Sequence, residues 1–144
     1  MAPAAPAVGR ARHRARAREG RTRVRDEDGG ERLTAADLGG RLGERATLVQ
    51  FSSAFCAPCR ATRRVLEDVA GMVDGVRHIE VDAEAHLDLV RRLDIVRTPT
   101  VLVLDADGAV VRRAAGQPRR VDVIAALGAA VRARTGGPGA AQRM

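Results

Sequence analysis

Two cysteines, Cys56 and Cys59, stand two residues apart in Phe55-Cys56-Ala57-Pro58-Cys59-Arg60, and the chain holds no other cysteine. Their surroundings constrain the fold. Thr47-Leu48-Val49-Gln50-Phe51 before them is apolar and β-branched, as a buried strand is. Val65, Leu66, Val69, Met72 and Val73 after them recur at helical spacing. The pair therefore lies where a strand runs into a helix. Cys56 takes the helix N-terminus, where unpaired N–H groups and the helix dipole stabilise a thiolate. A dithiol placed this way reads as a redox centre. Two cysteines are too few for a disulfide scaffold. The other readings are two inert thiols or half of a zinc site; zinc needs two more ligands, and His13, His78 and His86 show no matching spacing. No metal is expected.

The chain's 144 residues suit one domain. No apolar run is long enough to cross a membrane. The net charge is +7, and every one of the 25 basic residues is arginine. Alanine is equally over-used, so a GC-rich genome explains much of the arginine. Tryptophan and tyrosine are absent, which leaves only Phe51 and Phe55 for base stacking. Nucleic acid is therefore not the expected partner.

Residues 1–30 differ in kind. They carry eight arginines against Glu19, Asp26, Glu27 and Asp28, with alternating Arg-Ala from Arg10 to Arg18 and interruptions at Pro3, Pro6, Gly9 and Gly20. So little apolar surface cannot offset the entropy of ordering, and the arm is expected to be disordered. It lacks the hydrophobic stretch of a secretory signal. Such an arm can meet nucleic acid or an anionic membrane face, and a solvated tail or an overextended start is the plainer reading. Residues 135–144, with Gly136-Gly137-Pro138-Gly139, are expected to form a flexible tail.

Between these ends, residues 31–134 read as one domain. Thr34-Ala35-Ala36-Asp37 resembles a capping box opening a short helix that ends at Gly39-Gly40 or Gly43. A strand over about 46–52 and a helix over about 57–73 follow. Val76 to Val81 reads as a second buried strand, and Glu84 to Leu93 as a helix turning Leu87, Val90 and Leu93 inward. Thr100 to Leu104 is a third strand, joined through the turn Asp105-Ala106-Asp107-Gly108 to a fourth from Ala109 to Ala114. The last helix, from about Arg119 to Arg134, is expected to bury Val123, Ile124, Leu127 and Val131. This order implies an α/β fold, a central mixed sheet with helices on both faces.

Several of these marks occur together in one family. Val49-Gln50-Phe51 leads to Cys56-Ala57-Pro58-Cys59, Val81-Asp82 ends the next strand, Arg97-Thr98-Pro99-Thr100 follows, and Asp107-Gly108 and Gly116 come later. The segment from Glu31 to Arg134 resembles the thioredoxin superfamily. The resemblance implies a thioredoxin fold and a thiol–disulfide oxidoreductase that reduces protein disulfides, with Cys56 attacking and Cys59 releasing the product. It implies no bound cofactor, only a redox-active Cys56–Cys59 disulfide renewed by a thioredoxin-reductase-type donor, in a monomer acting on disulfide-containing proteins. Phe55, Ala57 and Pro58 would flank the substrate. Pro99 would be cis, against the cysteines, with the backbone of Thr98 pairing with the substrate peptide. An ordinary trans proline opening an edge strand is the alternative.

The departures from the family pattern are specific. Gln50 stands where thioredoxins proper usually carry a buried Asp that relays a proton for the inner cysteine, and an amide takes up no proton at ordinary pH. His78 falls near where the family often has a lysine. It reads either as a substitute base in a proton relay with Gln50 or as a plain strand histidine. Phe55 replaces the usual tryptophan, Ser52-Ser53 another bulky position, and Ala57 a glycine. Arg60, Arg63 and Arg64 either lower the Cys56 pKa and select acidic partners or simply solvate a helix face. A different class of function, a thioredoxin-fold binding module with non-essential cysteines, fits the same departures. With neither signal nor span, the expected compartment is the cytoplasm; an extracytoplasmic, membrane-anchored form would require a misassigned start.

Overall fold

The computed structural model describes residues 24–26 and 31–135. The expectations for the rest of the arm and for the tail beyond Thr135 lie outside the described residues.

The centre of the fold is strand β2 (Ala46–Ser52), buried along its whole length because it has neighbours on both edges and helices on both faces. Ahead of the sheet's centre come a short strand β1 (Val24–Asp26) and helix α1 (Ala35–Leu38). After β2 the chain forms α2 (Ala57–Met72), β3 (Val76–Asp82), α3 (Leu87–Arg92), β4 (Thr100–Asp105), β5 (Val110–Ala115) and α4 (Arg120–Thr135). The sheet order is β1-β5-β4-β2-β3. β2 runs parallel to β3 through the α2 crossover, while β2–β4, β4–β5 and β5–β1 are antiparallel. The mixed sheet with helices on both faces is thus the architecture the element order implied.

Alternation along β2 and β4 divides the core in two. Val49, Phe51, Leu102 and Leu104 face Leu38 of α1 and Leu89 of α3. Leu48, Val101 and Val103 face Leu66 and Val69 of α2 and Val123, Ala126 and Leu127 of α4. Each fully buried large side chain contributes about 1.5–3 kcal/mol, so both layers hold the strand that carries the site.

Local signals explain the boundaries. Thr34 Oγ1 accepts from the Asp37 N–H at 3.1 Å and Asp37 returns the bond to the Thr34 N–H at 2.9 Å, a complete capping box despite the shorter acid. Gly39, at φ 70°, ends α1. At the β4–β5 turn Gly108 has φ 89°, and a Cβ there would lie 2.2 Å from the Leu33 carbonyl oxygen. Only glycine permits that approach.

Four expectations change. β1 lies inside the segment read as disordered: Val24 pairs with Ala114, Arg25 with Arg113 and Asp26 with Arg112. β5, paired with β4 on one side, would otherwise leave the backbone groups of its outer edge unpaired, and a ladder on an edge needs extended backbone more than apolar side chains. β3 is an edge strand in which only Val81 is buried, rather than a buried strand throughout. α3 starts later, after the N-cap His86, so Leu87 is exposed and Leu89 takes the inward place. α4 faces the core with Val123, Ala126, Leu127 and Ala130, whose small alanines let it approach the sheet, and Ile124 is turned outward. Met72, at the end of α2, is likewise exposed.

Candidate active site

The end of β2 and the start of α2 bring the two cysteines together. Cys56 is the N-cap of α2, in extended backbone, and its sulfur accepts from the Cys59 N–H at 3.2 Å. Ala57 and Pro58 occupy the first two helical positions, exposed, where the missing proline N–H leaves no bond unmade. The sulfurs form a disulfide across Cα atoms 5.2 Å apart, an ordinary span. Cys56 is half-buried, whereas Cys59 is 1% exposed. Only Cys56 can meet a sulfur from outside. The Cys59 N–H directed at that sulfur, at the start of the helix, stabilises a thiolate there.

Phe55 forms the corner between strand and helix. Its φ of 58° is left-handed and its ring is fully exposed. That conformation costs a non-glycine residue about 1–2 kcal/mol, so the surrounding fold imposes it, holding the ring out next to Cys56.

The loop before β4 closes on this corner. The Thr98–Pro99 bond is cis, and Pro99 is buried with its carbonyl accepting the Gly116 N–H at 2.8 Å. Thr98 Oγ1 lies 2.8 Å from Ser53 Oγ, a bond between residues 45 apart in sequence. It ties the loop after β2 to the loop before β4. In the sequence Ser53 stands out only as a replacement of a bulky residue; its partnership with Thr98 depends on the fold.

Beneath Cys59, Gln50 is wholly buried. Its Nε2 donates to the Cys59 carbonyl at 2.7 Å and to Ser52 Oγ at 2.9 Å, and its Oε1 lies 3.1 Å from His78 Nε2. A carbonyl only accepts, so the amide nitrogen must face Cys59 and the amide oxygen must face His78. An oxygen cannot donate there, so His78 carries its proton on Nε2, and the basic lone pair of its neutral form is on Nδ1. Burial pulls the His78 pKa below the ordinary imidazole range, opposed by the nearby carboxylates of Glu67 and Glu80.

The network continues to the surface. Arg63, on α2, donates to the Glu80 carboxylate through Nε at 2.8 Å and a terminal nitrogen at 2.9 Å. Arg63, first, and Ser52 hold the Glu80 pKa below its usual value. Arg63 is therefore committed to Glu80, while Arg60 and Arg64 lie exposed on α2. Periodicity gives no sign of Ser52 and Glu80, because their roles depend on the β2–β3 register that sets Ser52 opposite Asp82 and Gln50 opposite Glu80. Among the described residues, no group of three or more His, Cys, Asp or Glu is placed to hold a metal ion, and no helix is long and apolar enough to cross a membrane.

A family model described as Thioredoxin matches residues 37–128, more than half of the chain. A thioredoxin of Staphylococcus epidermidis is 29% identical over 90 residues, covering 61% of this chain and 86% of the relative. One from Mycolicibacterium smegmatis is 36% identical over 75 residues, covering 50% and 66%. Among solved structures, chloroplastic thioredoxin z is similar at 26% identity and a TM-score of 0.54, over 60% of this chain and 79% of its own. A thioredoxin from Halobacterium salinarum reaches a TM-score of 0.56 at 18% identity, over 61% and 76%, a likeness of fold.

Proposed function

The chain belongs to the thioredoxin family and is a thiol–disulfide oxidoreductase, and from that premise we propose that it reduces disulfides in proteins, with Cys56 as nucleophile and Cys59 as resolving thiol. The observation that carries this is the asymmetry of the pair: one sulfur within reach of solvent at a helix N-terminus, the other buried a turn inward. The Cys56 thiolate attacks one sulfur of the substrate disulfide, and the other leaves as a thiolate. Cys59 then gives up its proton and attacks the Cys56 sulfur, expelling the second substrate sulfur. Two electrons pass to the substrate, which ends as two thiols, and the Cys56–Cys59 disulfide forms.

Phe55, Ala57, Pro58, Thr98 and Pro99 supply the surface on which the substrate peptide lies, with the Thr98 backbone as its hydrogen-bonding edge. The Ser53–Thr98 bond supports this reading, since it fixes that edge relative to the cysteines. Gln50 takes up no proton, so the pair's part in relaying the Cys59 proton is confined to His78 Nδ1. Electrons return from a thioredoxin-reductase-type donor to a monomer working in the cytoplasm, where thiol pools keep such a pair reduced.

The test is reduction of a protein disulfide with dithiothreitol as electron source. Cys56→Ser abolishes turnover, and Cys59→Ser accumulates a mixed disulfide with the substrate, visible as a mass adduct. Turnover by Cys56→Ser at the wild-type rate would sink the proposal.

A further inference from the structure

Reduction creates a thiol that Gln50 cannot serve. When a dithiol passes two electrons and two protons to the disulfide, two S–H groups replace one S–S bond, and the dithiol becomes a disulfide. Cys59 is 1% exposed, so its thiol forms inside the protein. Both N–H groups of Gln50 are already directed at the Cys59 carbonyl and Ser52 Oγ, and its oxygen faces His78. Among the described residues, one buried side-chain oxygen or nitrogen has no hydrogen-bond partner: Thr62 Oγ1. Thr62 is wholly buried on α2, three residues beyond Cys59, and shares the inward face with Cys59, Leu66 and Val69. Helix residues three apart bring their Cβ atoms to about 5–6 Å, and side chains on a helix lean back toward its N-terminus. The Thr62 side chain therefore leans over the turn that holds Cys59. A hydroxyl and a thiol can each donate and accept.

We propose that Thr62 is a positioning residue of the redox cycle: its hydroxyl, unpartnered in the disulfide state, hydrogen-bonds the Cys59 sulfur in the dithiol state. The inference rests on the reading that the Cys56–Cys59 pair cycles. An orphaned buried hydroxyl destabilises the oxidised form, and reduction relieves it. Thr62 thus biases the pair toward the dithiol.

The experiment measures the equilibrium of the full chain with defined dithiothreitol buffers, read by alkylation mass shift, for wild type, Thr62→Val and Thr62→Ser. Thr62→Val keeps the shape and removes the hydroxyl. Its equilibrium constant for reduction falls about tenfold, equivalent to about 30 mV more negative for two electrons. Thr62→Ser keeps the hydroxyl and the wild-type value. Urea unfolding of each redox form gives the second readout: Thr62→Val stabilises the oxidised protein and not the reduced one, whereas a purely structural role moves both alike. Thr62→Ala replaces Thr62→Val, with the same expected sign, if the valine variant does not fold. A disulfide that forms normally in Thr62→Val with an unchanged equilibrium constant overturns the proposal. A wild-type pair that fails to respond to the thiol buffer overturns the redox reading beneath it instead.

Discussion

Replacing Gln50 with leucine probes the buried network most sharply. The side chain is fully buried and makes three bonds, to the Cys59 carbonyl, Ser52 Oγ and His78 Nε2. Leucine is of similar size, so the loss is mainly of hydrogen bonds. The His78 N–H is orphaned in a part-buried place, at about 1–3 kcal/mol, and the donors to Ser52 and Cys59 add about 0.5–1.5 kcal/mol more. The sum, about 1.5–4.5 kcal/mol, is a large share of the roughly 5–15 kcal/mol by which a domain of this kind is stable. At a urea slope of about 1.5 kcal/mol/M the midpoint falls by about 1–3 M. Far-UV circular dichroism is the assay, since the chain has no tryptophan or tyrosine to report unfolding by fluorescence. A double-mutant cycle with His78→Leu should return a coupling of about 1 kcal/mol. A midpoint lowered by less than about 0.5 M, with no coupling to His78, would refute the bonding scheme and the tautomer assigned from it.

Three further outcomes are expected. Leu66→Ala, at a wholly buried site between α2 and the sheet, should cost about 2–5 kcal/mol in urea unfolding. Gly108→Ala forces a Cβ to within 2.2 Å of the Leu33 carbonyl oxygen at φ 89°, and should lose more than about 1 kcal/mol by the same measurement. Because burial depresses the folded pKa of His78, the unfolded chain takes up its proton first, near about pH 6.5. The His78 contribution is therefore complete above that value and is lost as pH falls from there toward the folded pKa. His78→Gln, which keeps a donor toward Gln50, should flatten the urea midpoint between about pH 5 and 7.

What could be read from the chain were features whose causes lie close together in sequence. The Cys56–Cys59 pair between a strand and a helix, the box at Thr34 and Asp37 and the turn at Gly108 are all set within a few residues. Hidden features needed two segments and a register. Val24–Asp26 looks like nothing in an arginine-rich arm, and becomes a strand only because β5 offers it an edge. Gln50 was visible as a departure, yet its bond to His78 follows from parallel pairing of β2 and β3 across 28 residues. The outward turns of Leu87 and Ile124 reflect helix phase, which an apolar period shared among several candidates leaves open. Thr62 gave no signal, because an unpartnered hydroxyl is a property of packing.

The reduction potential of the Cys56–Cys59 pair, read by alkylation mass shift across defined thiol buffers, tests the central claim most directly. A protein-disulfide reductant should give a value near about −270 mV, whereas one above roughly −180 mV would mark an oxidant or isomerase and contradict the account.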